Sequence, residues 1–213
     1  MTAVWGPLGW MTLHSVATCY PENPVQTEKE LMYSWLDMFR DTITCPHCQQ
    51  HFSNMLATYR ASFPNMLSSR QEFVLFTFRA HNAVNRRLKK PMYSSVEECM
   101  NTLKNNIKNT NAKNYRISYI NHITRHWKTF QDVTGIVAMK KINEMKKIDI
   151  EYIQPRDTNF EVNITPDVVV LPRDALEKEV EPQRQGPSIF SLGKRDGPSV
   201  GIRITAGGIR LRR

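Results

Sequence analysis

Cysteine is scarce in this sequence, four residues in 213, which excludes a domain stapled mainly by disulfides. No apolar run is long enough to span a bilayer. The opening Met1-Thr2-Ala3-Val4-Trp5 has neither the charged-then-apolar order of a secretion signal nor the Arg-rich pattern of a transit peptide. These absences predict a soluble, cytoplasmic chain with no membrane partner. The sequence holds no internal repeat, no low-complexity tract and no second Cys-x-x-Cys to complete a four-cysteine zinc site.

Acidic residues are also in short supply: 20 Asp and Glu stand against 29 Lys and Arg, a formal charge of +9. From Arg86 to Lys147 there are 14 Lys or Arg and 4 Asp or Glu, so this segment accounts for the whole imbalance. A solvated helix surface explains such a bias, and so does an anionic partner. Nucleic acid is one, although no recognition helix or base-stacking motif is spelled out.

What is present is helical. Thr27 with Glu30, Ser69 with Glu72 and Ser95 with Glu98 have capping-box spacing. Leu31, Trp35, Met38 and Phe39 then follow at helical period, as do Phe73, Phe76, Ala80, Val84 and Leu88. With the segment around Trp10, Leu13 and Val16 and another after Cys45, five helices are predicted by about residue 109. Residues 115–147 continue the pattern with Ile117, Ile120, Ile123, Trp127 and Phe130 on a basic helix, expected as a small appendage. After Pro155 the character changes: Val168-Val169-Val170-Leu171 lies between prolines and Gly-Pro pairs punctuate the rest. That composition predicts an extended arm without a core of its own.

The chemistry centres on Cys45-Pro46-His47-Cys48. Such a pair can close a short disulfide, and Pro46 suits the first position of a helix whose positive end stabilises a thiolate. The alternatives are an inert pair or half a zinc site; zinc lacks two further ligands at matching spacing, so no metal is expected. A thioredoxin-like reading fails because the motif is embedded in helices. His81 and Asn85 share a helix face, and Arg86-Arg87-Leu88-Lys89-Lys90-Pro91-Met92-Tyr93 adds cations and an aromatic ring at that helix end, a combination suited to a phosphate-bearing aromatic cofactor. Trp10 and His14 lie one turn apart near the start. Cys19 and Cys99, each beside apolar residues, read as buried inert thiols.

Taken in order, Trp10-x-x-Leu13-His14, Tyr20-Pro21, Cys45-x-x-Cys48, His81-Asn82-x-Val84-Asn85 and Leu88-x-Lys90-Pro91 resemble the FAD-linked Erv/ALR sulfhydryl oxidase family over about residues 5–105, most of all its members from large cytoplasmic DNA viruses. The resemblance implies an all-α fold with a four- or five-helix FAD-binding bundle at residues 1–109. Composition adds the basic helical appendage at 110–150 and the arm at 151–213. By the same resemblance, Cys45 exchanges with protein dithiol substrates and Cys48 lies nearest the flavin. Electrons pass to FAD and then to oxygen, giving hydrogen peroxide, usually in a homodimer. Gly6, Trp10, His14, Cys48, His81, Asn82, Val84, Asn85, Arg87, Lys90 and Tyr93 are the cofactor-binding residues it implies. A viral origin would place the protein in host cytoplasm or virion, with the arm docking on capsid or other virion proteins. The rival reading is a virion scaffold that keeps the oxidase fold without its chemistry.

Three departures from the family pattern stand out. Phe78 and Ser95 occupy positions where cellular members carry a structural cysteine pair. Lys89 replaces the glycine of Leu-Gly-Lys-Pro, which bears on the local turn. No shuttle Cys-x-x-Cys follows, so substrates must reach Cys45 directly.

Overall fold

Helical periodicity organises the chain as its caps and apolar spacing require. The computed structural model describes residues 2–107, 111–160 and 162. Among them lie α1 (Thr2–Thr18), α2 (Gln26–Asp41), α3 (Pro46–Ser62), α4 (Arg70–Arg87), α5 (Val96–Asn106), α6 (Ala112–Trp127) and α7 (Val133–Ile148), which runs on into a π-helical turn at Asp149–Ile153. The described residues contain no strand, so the all-α expectation holds.

Two of the three capping boxes start helices where the sequence spells them. Ser69 Oγ accepts the Glu72 N–H at 3.2 Å, and Ser95 Oγ accepts that of Glu98 at 3.0 Å. The third is displaced by two residues, because the Glu28 carboxylate takes the Val25 N–H at 3.0 Å and lets α2 begin from Val25, with Thr27 inside its first turn. Pro46 opens α3 as expected, and Phe52, Met55, Leu56 and Tyr59 are all buried.

α4 is the centre of the bundle. Every residue from Phe73 to Phe78 is buried, which a helix achieves only when neighbours surround it. α1 packs along it with Leu13, Val16 and Ala17 fully inside. Phe78 is buried in this core and Ser95 caps α5, so both positions at which the family disulfide is missing serve the fold by packing and by capping. Cys19 and Cys99 are buried free thiols, and burial pushes Cys99 up to about 12.

Beyond residue 110 the structure corrects the sequence reading. The segment expected as an appendage beside the bundle packs into it. α6 lies along α1, and α7 lies against α2 and α6. Tyr119, Ile120, Ile123, Ile142, Met145, Ile148 and Ile153 belong to the same core as the earlier helices. The periodic run breaks between the two helices, where Asp132 accepts the Gly135 N–H at 2.9 Å and a Cβ on Gly135 would collide with the Phe130 carbonyl. Phe130 therefore falls past the end of α6 and is exposed, as is Ile117.

Several cations of this segment are engaged in holding it. Lys141 reaches Asp41 at 2.6 Å, and the Trp127 indole N–H donates to the Thr42 carbonyl at 2.9 Å. Arg116 and Asp149 are both buried and meet at 2.5 Å; Arg116 also donates to Ser15 Oγ, and Gln154 donates to the second Asp149 oxygen at 2.7 Å. This network joins α1, α6 and the π-helical turn. Further on, the Asn159 N–H donates to the Thr18 carbonyl at 3.1 Å, and Phe160 and Val162 pack partly buried on the core. The remainder of the expected arm, 163–213, lies outside the described residues.

A buried ion pair that loses one partner leaves an uncompensated charge. Asp149→Ala is therefore expected to cost about 3–5 kcal/mol, read as a lower urea midpoint. A loss below about 1 kcal/mol would show that the pair behaves as a solvated one.

Candidate active site

A cleft of about 650 Å3 opens where α1, the start of α3, the end of α4 and α5 converge. It lies within the range of about 300–1,000 Å3 common for small-molecule and cofactor sites. Cys45 and Cys48 form one wall, joined by a disulfide with their Cα atoms 5.2 Å apart. Cys45 is the N-cap of α3, and its sulfur accepts the Cys48 N–H at 3.3 Å. The pair thus sits at the positive end of the helix, where thiolate is favoured. Cys48 packs against the hydrophobic core.

Another part of the lining is aromatic. Trp10 and His81 stack with centroids 4.2 Å apart and planes 4° from parallel, and Tyr93 meets His81 edge-on at 5.4 Å. A line of hydrogen bonds fixes this stack. Thr77 has one hydroxyl hydrogen and donates it to the Val74 carbonyl at 2.8 Å, so it accepts from His14 Nδ1 at 3.0 Å. His14 Nε2 then carries a lone pair and accepts from His81 Nδ1–H at 3.0 Å. Both rings are neutral in this arrangement. Burial, and then His81, hold His14 well below the usual imidazole range; burial, and then Lys90, bring His81 down to about 4.

The rim at the end of α4 is cationic, with Arg87 and Lys90 lining the cleft. Here Lys89 adopts φ 54°. Its N–H donates to the Arg86 carbonyl at 3.0 Å and that of Lys90 to the Asn85 carbonyl at 2.8 Å, the paired bonds of a Schellman helix end. The family glycine is gone, yet the left-handed turn it would serve is kept. Asn82 then clamps the next segment: its amide donates to the Tyr93 carbonyl and its oxygen accepts the Tyr93 N–H, both at 2.9 Å.

Of the residues singled out from the sequence, Gly6, Trp10, Cys45, Cys48, His81, Val84, Asn85, Arg87, Lys90 and Tyr93 line this one cleft. His14 and Asn82 do not. Both are fully buried behind the wall, where they orient His81 and Tyr93. Sequence reasoning passed over Trp5, Phe39, His47, His51, Leu103 and Asn106 as lining residues. Phe39 and Leu103 carry only a core-like signal, whereas His47 stands between the two cysteines and was legible there.

Residues 8–108 match the model of the Erv1 / Alr family. A FAD-linked sulfhydryl oxidase of African swine fever virus is 33% identical over 93 residues, 44% of this chain and 75% of that protein. The chain belongs to the Erv1 / Alr family. An Acanthamoeba polyphaga mimivirus protein named as a probable FAD-linked sulfhydryl oxidase is 28% identical over 140 residues, 66% of this chain and 96% of its own length. A similarly named protein of invertebrate iridescent virus 3 is 34% identical over 92 residues, 43% of this chain; the chain spans 61% of that relative. No solved structure matches this chain.

Two outcomes are expected from this Erv1 / Alr site. An unfolded imidazole titrates near 6.5 and folded His81 near 4, so the unfolded chain binds more protons between those values. Stability should fall as pH drops from about 6.5 to about 4, by about 3 kcal/mol from His81 at the lower end; urea midpoints across that range, with a smaller fall in His81→Asn than in the unaltered protein, check it. Lys89→Gly should stabilise the fold by about 1 kcal/mol because glycine occupies the left-handed region without a Cβ clash, measured by the same unfolding curves.

Proposed function

We propose that this chain is an FAD-dependent sulfhydryl oxidase that forms disulfides in protein dithiols, with oxygen as final acceptor and hydrogen peroxide as product. The observation that carries the reading is the placement of the Cys45–Cys48 disulfide in the wall of the same cleft as the Trp10–His81 stack. The residues present suit FAD. Trp10, His81 and Tyr93 offer flat apolar surface to a ring system, and Arg87 and Lys90 offer cations to phosphates. Trp5 lines the same cleft, and its indole N–H is buried with no acceptor among the described residues. Bound there, FAD supplies a two-electron acceptor that oxygen can regenerate.

The chain's own groups do the rest. An incoming thiolate attacks Cys45, the sulfur at the helix cap, and forms a mixed disulfide while the bonding pair leaves on Cys48 as thiolate. The start of α3 stabilises that charge. A second substrate thiolate attacks the substrate sulfur, releases the substrate disulfide and returns Cys45 to thiolate. By the family resemblance Cys48, which packs against the core, is the sulfur that passes the electron pair onward. His14 and His81 stay neutral and hold Trp10 in place. In this reading substrates deliver thiols to Cys45. Homodimerisation, a place in host cytoplasm or virion, and docking through residues 163–213 complete this reading on the strength of the family resemblance and composition. No helix among the described residues is long and apolar enough to cross a membrane.

Purified protein should show a flavin band that bleaches with dithiothreitol and recovers in air. Cys48→Ser should lower oxygen uptake by at least about 100-fold while the band remains. A colourless protein that stays inert with added FAD would overturn the oxidase in favour of a scaffold.

A further inference from the structure

The exchange described above releases a proton whenever the attacker arrives as a thiol, and the cleft offers few groups that can take it. Among the described residues that line it, the other titratable side chains are His81 on α4, Arg87 at the end of α4, Lys90 and Tyr93 beyond it, and His47 and His51 on α3. No carboxylate lines the cleft among those residues. Arginine and lysine already carry their protons at neutral pH. The Tyr93 phenol is raised by burial, and His81 is held near 4 and is engaged with His14.

His47 and His51 remain. They occupy successive turns of α3, with Nε2 atoms 3.0 Å apart and rings edge to face at 4.3 Å. His47 is exposed and lies between the two cysteines. For two ring nitrogens to share a hydrogen bond, one must donate and the other accept, so at least one ring is neutral. Such a pair can take up one proton on the outer nitrogen of the exposed His47 and keep its shared bond. A second proton would break that bond and place two like charges side by side. The capacity of the pair is therefore one proton, which is what a single exchange step yields.

We propose that the His47–His51 pair is the proton acceptor for thiol–disulfide exchange at Cys45–Cys48, taking the S–H proton of the incoming dithiol as its sulfur bonds to Cys45. The balance is complete: substrate S–H and the Cys45–Cys48 bond break, substrate S–Cys45 forms, the bonding pair goes to Cys48 as thiolate, and the proton goes to the imidazole pair. This inference rests on the oxidase reading and adds to it the group that makes a protonated thiol reactive near neutral pH.

The test follows reduction of the Cys45–Cys48 disulfide itself in the full-length protein, by acid quench, alkylation and mass spectrometry after mixing with dithiothreitol. This readout needs no turnover. In His47→Asn and in the His47→Asn/His51→Asn double variant the rate at pH 7 should fall about tenfold or more. It should converge with the unaltered protein at alkaline pH, where the reagent is already thiolate, and recover at pH 7 with added imidazole. Rates equal to the unaltered protein at pH 7, or a loss that persists at alkaline pH and ignores imidazole, would overturn the assignment. Because both residues are on the surface of α3, circular dichroism and His51→Asn alone guard against a folding defect. If Cys48→Ser abolishes oxidase turnover while the histidine variants react normally, the oxidase reading stands and this inference falls. If the disulfide of the unaltered protein does not react with dithiothreitol, both fall.

Discussion

The cleft depends on a hydrogen-bonded line that begins at a helix carbonyl and ends at an aromatic wall. Val74 C=O, Thr77, His14 and His81 are linked in sequence, and Trp10 lies flat on the last of them. Each ring in this line has a fixed tautomer because its neighbour leaves it only one role. The line crosses from α4 to α1 and so exists only when those helices are docked in register. Packing of Leu13, Val16, Phe73 and Phe76 supplies the docking. Stability of the core and geometry of the site are therefore the same requirement, expressed once in apolar contacts and once in hydrogen bonds.

A second constraint comes from the later helices. The pair Arg116–Asp149 and the bond from Trp127 to Thr42 secure α6 and α7 to the face of α1 and α2 away from solvent. Without them, apolar residues of α1 and α2 would lack their covering. The bundle that carries the cleft is a larger unit than the family match at residues 8–108.

Much of the site was legible because short-range rules govern it. Pro46 at the first helical position, the caps at Ser69 and Ser95 and the one-face spacing after Cys48 depend on residues within a turn or two. The ordered motifs around Trp10, Cys45 and His81 then brought ten of the named residues to one cleft. What escaped the sequence depends on partners far along the chain. His14 and Asn82 carry the same motif signal as their neighbours, and only the fold decides that they stand behind the wall. Arg116 looks like any surface arginine until Asp149 arrives from 33 residues away. The break at Gly135 was hidden because a glycine and a capping aspartate interrupt an apolar pattern that otherwise runs on.

The orientation of two helices has a further meaning. α3 begins at the cleft and α4 ends there, so the site lies between the positive pole of one peptide dipole and the negative pole of another. The sulfurs stand at the electron-attracting pole. At the other pole the negative end of the helix dipole would repel an anion, and Arg87 and Lys90 reverse the sign that the backbone alone would impose. The cleft is thus electropositive on both sides, by backbone orientation at the sulfurs and by side-chain charge at the end of α4. The first helix must therefore keep its start at Cys45 and Cys48, whereas the second must keep the cations at its end.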